Sequence, residues 1–237
     1  MRRLEIAEHQ AGAGEWKDIP SVSFFGVLTL LLTICSSGFA DDVDDAYLSA
    51  VEQEVLDELN LARTDPKRYA EFLAEMRPYF NGKHLERPGQ VILITREGVA
   101  AVDEAIGFLR ATQPVRALVP SRGLSMAAQA HVDDQQNGAM GHTGSDNSQP
   151  WDRMSRYGAW ADEVAENIAY GGYSTRGVVT QLIVDDGVPG RQHRANMFNP
   201  KYRVAGVGCG THARLHDMCV IDFAAEYSER SDRPESH

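Results

Sequence analysis

The 237-residue sequence carries few of the features that announce a function outright. It has three cysteines, no run of basic residues, no internal repeat, no heptad pattern and no low-complexity tract. Solenoids, coiled coils and disulfide-dense miniproteins are thereby excluded. Lys plus Arg number 23 against 34 Asp plus Glu, a formal net charge of −11, which argues against binding to nucleic acid or an anionic membrane but leaves room for a local basic patch. His-Glu-x-x-His, Gly-x-Ser-x-Gly and the phosphate-loop pattern are all missing. Gly206-Val207-Gly208-Cys209-Gly210 has a superficial dinucleotide look, but without the required spacing and following helix it reads as strand glycine. What is present is ordinary globular composition, 43% apolar and 24% charged, enough for a substantial core.

The longest uncharged stretch is Ile19 to Ala40, built around Phe24-Phe25-Gly26-Val27-Leu28-Thr29-Leu30-Leu31-Leu32 and ending in Gly38-Phe39-Ala40. An apolar run closed by small residues predicts a secretory signal over residues 1–40. An uncleaved anchor is the alternative, since the run is almost long enough to span a bilayer. Cleavage would leave 197 residues at net charge −10, because three basic and four acidic residues depart with the leader. Cys35 departs as well, leaving Cys209 and Cys219, and an even pair in an exported chain predicts a disulfide. Both flank a hairpin pattern, Val204 to Gly208 leading in and Val220 to Ala224 leading out, so the bridge is expected to be structural. No membrane span is expected after cleavage.

The remainder (41–227) reads as one domain, followed by a polar tail (228–237). Leu48, Val51, Val55, Leu59 and Ala62 recur at helical steps and predict a helix over Ala46–Arg63. Asp65-Pro66 restarts the chain as cap and first helical residue. Thr95, Ser121 and Ser174 each precede a further apolar stripe and predict capped helices, with His131 on the inner stripe of the second as a core histidine. Residues 81–90 read as loop.

Three polar segments are rich in chemistry: Gly141-His142-Thr143-Gly144-Ser145-Asp146, Ala165-Glu166-Asn167-Ile168-Ala169 and Gly190-Arg191-Gln192-His193-Arg194-Ala195-Asn196. Each lies between periodic segments, where a scaffold could present it to a cleft. Two imidazoles and a carboxylate can form an open zinc site, or a metal-free acid/base set. Spacings of 24 and 27 residues between His142, Glu166 and His193 do not choose between these or show that the three meet.

In this order, the three segments resemble the signature of the CAP superfamily (cysteine-rich secretory proteins, antigen 5 and pathogenesis-related proteins), in particular its bacterial SCP-like branch. Asn60-Leu61-Ala62-Arg63 is similar to the end of the family's opening helix, and Gly206 to Gly208 with Ile221 to Ala224 resemble its final hairpin. The resemblance runs from about Ala46 to Tyr227 and implies an α+β fold, a three-layer α-β-α sandwich. It also implies a cleft lined by two histidines and two acids, with zinc on the histidines in some members. Matched residue by residue, the cleft takes His142, Glu166 and His193, with His142 and His193 as the metal ligands. The second acid falls among Asp146, Asp152 and Glu163, with Asp152 or Glu163 favoured. Asn60, Arg63, Asn167, Arg194 and Asn196 match structural positions. Ala165 and Gln192 replace family glycines, and Gln192 beside His193 could reshape the cleft.

The function this implies is an extracellular or envelope binding module for a small apolar or lipid-like ligand or a protein partner. The alternative is a zinc-dependent hydrolase with His142 and His193 on the metal and Glu166 as general base.

Overall fold

A computed structural model describes residues 47–171 and 174–230. The expected leader and residues 231–237 lie outside them. The first helix, α1 (Ala50–Thr64), starts four residues later than its apolar period suggests, because Ser49 and Glu52 form a reciprocal capping box. In α2 (Pro66–Ala74), the Asp65 carboxylate accepts from Arg68 N and Pro66 takes the first position, as expected. The Thr95 hydroxyl accepts from Gly98 N ahead of α3 (Val99–Ala111). Ser121 and Ser174 cap α4 (Arg122–Gln135) and α6 (Thr175–Val184).

Four strands form the central sheet in the order β4 (Val119–Pro120), β6 (Val204–His212), β7 (His216–Glu229), β5 (Gly158–Tyr170). Only the β4–β6 pair is parallel. Helices α4 and α5 (Pro150–Tyr157) cover one face, where Ala128 and Val132 meet Ile168, Met218 and Val220. The other face carries Val207, Ile221 and Phe223 into the larger core with α1, α3, α6 and α7 (Gln192–Phe198). This is the three-layer α-β-α sandwich, α+β in class.

Four sequence expectations change here. Residues 81–90 are not plain loop: β1 (Phe80–Asn81), β2 (His84–Leu85) and β3 (Leu93–Ile94) make a small antiparallel sheet. The Glu166 segment is no loop but the second half of β5, paired residue by residue with β7. The His193 segment opens α7, and the expected polar tail contributes Ser228 and Glu229 to β7.

The glycine run is explained by close packing. Gly206 and Gly208 present bare Cα atoms to α4, and a Cβ on Gly206 would sit 2.1 Å from the Leu124 and Ser125 backbone. Cys209 and Cys219 pair directly across β6 and β7 with Cα atoms 4.2 Å apart, and they form the expected disulfide.

Arg63 and Asn60 tie the end of α1 to distant chain. Asn60 exchanges two bonds with the Leu118 backbone at 3.0 and 2.7 Å. The fully buried Arg63 guanidinium donates to the carbonyls of Arg116, Met197, Asn199 and Tyr202. Burial among carbonyls with no carboxylate lowers its pKa to about 10.

Candidate functional site

His142 lies in the connection between α4 and α5, and Glu166 faces it from the sheet. His142 Nδ1 is 2.8 Å from Glu166 Oε1, and Arg153 of α5 donates from Nη2 to Glu166 Oε2 at 2.7 Å. Arg153 also donates to His142 O and to Ser148 O, each at 3.0 Å, so a single buried guanidinium fixes both the carboxylate and the loop. Burial works against the Glu166 charge, but the His142 bond and Arg153 outweigh it and hold the carboxyl below its ordinary range. His142 Nδ1 donates to the carboxylate, and Nε2 lies on the other edge of a half-exposed ring.

His131 is the core histidine its helical stripe predicts. It is fully buried, with Nε2 2.8 Å from Gly141 O, and burial lowers its pKa.

His193 sits in the first turn of α7. Its Nδ1 is 2.6 Å from Asp185 Oδ1, and its backbone N donates to Asp185 Oδ2 at 2.9 Å. Asp185 ends α6 in the left-handed region, φ 55°, a turn that aims its carboxylate at α7. Around this pair the motif residues act as ties. Arg194 donates to the terminal α6 carbonyls of Ile183 (2.5 Å) and Val184 (3.1 Å), where a cation also suits the helix dipole. Asn167 donates to His193 O at 2.9 Å and accepts from Asn196 at 2.8 Å. Gln192 is the first residue of α7.

Glu166 and Asn167 are adjacent on β5 and so point to opposite faces of the sheet. The His142–Glu166 pair belongs to the α5 side and the His193–Asp185 pair to the α7 side, flanking an edge strand. The three acids weighed for the second cleft position are bound elsewhere. Asp152 accepts from Gln149 N at 2.9 Å, Glu163 pairs with Lys201 at 3.0 Å, and Asp146 pairs with Arg156 at 2.7 Å. The carboxylate against His193 is Asp185, whose only sequence signal was an Asp-Asp step closing an apolar helical stripe. Asp222 was also missed, although an aspartate inside Val220-Ile221-Asp222-Phe223-Ala224 is out of place in a core strand.

Among the described residues no group of three or more His, Cys, Asp or Glu is arranged to hold a metal. Glu166 and Asp185 are both engaged at imidazole Nδ1 atoms, so the ring nitrogens left for a metal among the described residues are the two Nε2.

The model of the CAP family, the cysteine-rich secretory protein family, matches residues 104–223. The chain belongs to the CAP family. That match spans His142, Glu166, His193 and Asp222, while Asn60 and Arg63 precede it. Among solved structures, one similar chain is an extracellular protein containing an SCP domain from Bacillus anthracis str. Ames. It is 18% identical over 46% of this chain and 34% of that one, with a TM-score of 0.38. This chain therefore spans about a third of that protein's length. Another is an outer surface protein from Borrelia burgdorferi, 16% identical over 69% of this chain and 93% of that one, with a TM-score of 0.39. No curated protein sequence matches.

This CAP domain also has a groove of about 620 Å³ beside His193, bounded by the β1–β3 sheet, the start of α6 and the β6–β7 turn. Phe80, Leu93, Ile94, Ile168 and Leu182 supply apolar lining, and the His193–Asp185 pair lies at its wall. Arg87 and Arg214 also line it, and neither forms an ion pair among the described residues. No described helix is long and apolar enough to cross a membrane.

Proposed function

We propose that this CAP domain is an exported binding module that holds a lipid-like amphiphile in the groove beside His193. The observation that carries this reading is the groove itself. It has the volume of a small-ligand site, an apolar lining and a few polar groups that could fix orientation. Arg87 and Arg214 favour an anionic head group, since their charges meet no carboxylate among the described residues. A large exposed apolar run at the groove, including Ile94 at 79% exposure, fits a mouth that receives a chain.

The test is displacement of a fluorescent fatty acid from delipidated protein. The wild type should bind, and Ile94→Asp should weaken binding at least about tenfold, a loss of about 1.4 kcal/mol. Because Ile94 is exposed, the folding midpoint should not move. Equal affinities would discard the groove as the site.

A second reading, zinc chemistry, has one observation in its favour. Each imidazole is oriented through Nδ1 by a carboxylate, the arrangement that supports metal-bound histidine. Against Glu166 as its general base stands the burial of that carboxylate, with both oxygens bonded. Zinc calorimetry on the wild type and on His142→Ala plus His193→Ala separates the readings. Equal heats would dismiss the metal.

A further inference from the structure

Glu166 and Asp222 are register partners on β5 and β7, so their side chains project from the same face of the sheet. Both are buried, Asp222 completely, beneath α4 where Gly206 lets the helix backbone approach. Neither Asp222 oxygen meets an N–H or O–H donor among the described residues. Its cross-strand neighbour is Glu166, and Arg153 acts on it from α5.

The charged and titratable groups around this pair can be enumerated. Arg153 faces it from α5, His131 from α4 and His142 from the connecting loop, while Tyr170 and Tyr227 bring phenols from β5 and β7. Arg153 Nη2 is spent on Glu166 and Nη1 on Ser148 O, while its buried Nε reaches no acceptor among the described residues, Asp222 included. His131 Nε2 faces a carbonyl, so it carries the proton, and its buried Nδ1 can only accept. Arg153 is the permanent cation facing the two carboxyls, and none of its bonds reaches Asp222.

Two ionised carboxylates are acceptors only and repel at contact, whereas a proton between them makes a charge-assisted O–H···O bond. We propose that Asp222 is a positioning residue, held as the neutral acid at neutral pH and donating its proton to Glu166, so that the facing carboxyls share one negative charge. Glu166 then accepts from Asp222, His142 Nδ1 and Arg153 together, which fixes the His142 ring with Nε2 outward. Burial, and then the Glu166 charge, push the Asp222 titration upward in the same sense. The assignment is independent of what the groove binds.

The test is infrared spectroscopy of the full chain at pH 7. The wild type should show a protonated-carboxyl C=O stretch that shifts in D2O, and Asp222→Asn should lack it. Asparagine reproduces the shape and the donor of the neutral acid. Asp222→Asn should therefore match or exceed the wild-type urea midpoint at pH 7 and keep the His142 Nδ1–H resonance in 15N NMR. Asp222→Ala should lower the midpoint. A raised carboxyl titration stabilises most at low pH, so the wild type should gain on Asp222→Asn as pH falls toward the ordinary carboxyl range. The assignment is overturned if the band is missing, if it survives in Asp222→Asn, or if Asp222→Asn loses as much stability as Asp222→Ala.

Discussion

Replacing Arg153 with leucine would test whether one guanidinium holds the His142 side of the site together. Arg153 is 2% exposed and serves three acceptors: Glu166 Oε2, His142 O and Ser148 O. Leucine keeps much of the volume but leaves the Glu166 carboxylate with a buried uncompensated charge, an effect of about 3–5 kcal/mol. The two orphaned carbonyls belong to a loop that can turn toward water, so they add less than the usual 1–3 kcal/mol or so each. Against a typical total stability of about 5–15 kcal/mol, the loss should be plain in urea denaturation at pH 7. Glu166→Gln removes the charge that Arg153 answers. In the double variant the two losses should therefore fail to add, with a coupling of about 1–3 kcal/mol. His142→Ala serves as the control, because its half-exposed side chain should cost under about 1 kcal/mol. A single-variant loss below about 1 kcal/mol with an additive cycle would refute the reasoning, since the pair would then be no more coupled than an exposed one.

Three further outcomes follow from geometry already described. Reducing Cys209–Cys219, or replacing both with serine, should lower the thermal midpoint by an amount matching about 2–3 kcal/mol, since the bridge closes a loop of only 10 residues' separation. Gly206→Ala should cost at least about 3 kcal/mol or prevent folding, because its Cβ meets α4 backbone rather than a movable side chain. The folded-state pKa of His131 is depressed, so the stability tied to its neutral form is complete above the ordinary value of 6.5 and is lost as pH falls below it. Urea midpoints of the wild type and His131→Gln, compared across that range, should converge on acidification, and a constant difference would rule this out.

How much of this was legible in the sequence depended on whether a segment's partners lie within it. Caps at Asp65, Ser121 and Ser174 act on their own next turn, so α2, α4 and α6 begin where the local chemistry places them. Strand β5 offers no such signal. Ala161-Asp162-Glu163-Val164-Ala165-Glu166-Asn167 lacks apolar alternation, and it is a strand because β7 pairs with it and because its polar side chains find partners on α5 and α7. Seven-residue α7 is too short to show a period. The second cleft acid was expected among Asp146, Asp152 and Glu163, and the acid against His193 is instead Asp185. Asp185 reaches the ring only through a left-handed turn that nothing but the fold reveals. His142, Glu166 and His193 stood out as chemistry. Their division into two histidine–carboxylate pairs across one strand did not.

The strand order has a consequence for how the molecule is made. β7 is the last element in the described chain, yet it sits between β5 and β6 and is the strand that joins them. Arg63, near the beginning, reaches carbonyls as far along as residue 202. A growing chain that has released everything up to Pro200 holds the small β1–β3 sheet but no central sheet, because β4 and β5 still lack the strands they pair with. Completion of the sandwich therefore waits until β6 and β7 have both emerged. Trimming a dozen residues from β7 would not shorten the protein so much as return it to that unfinished state.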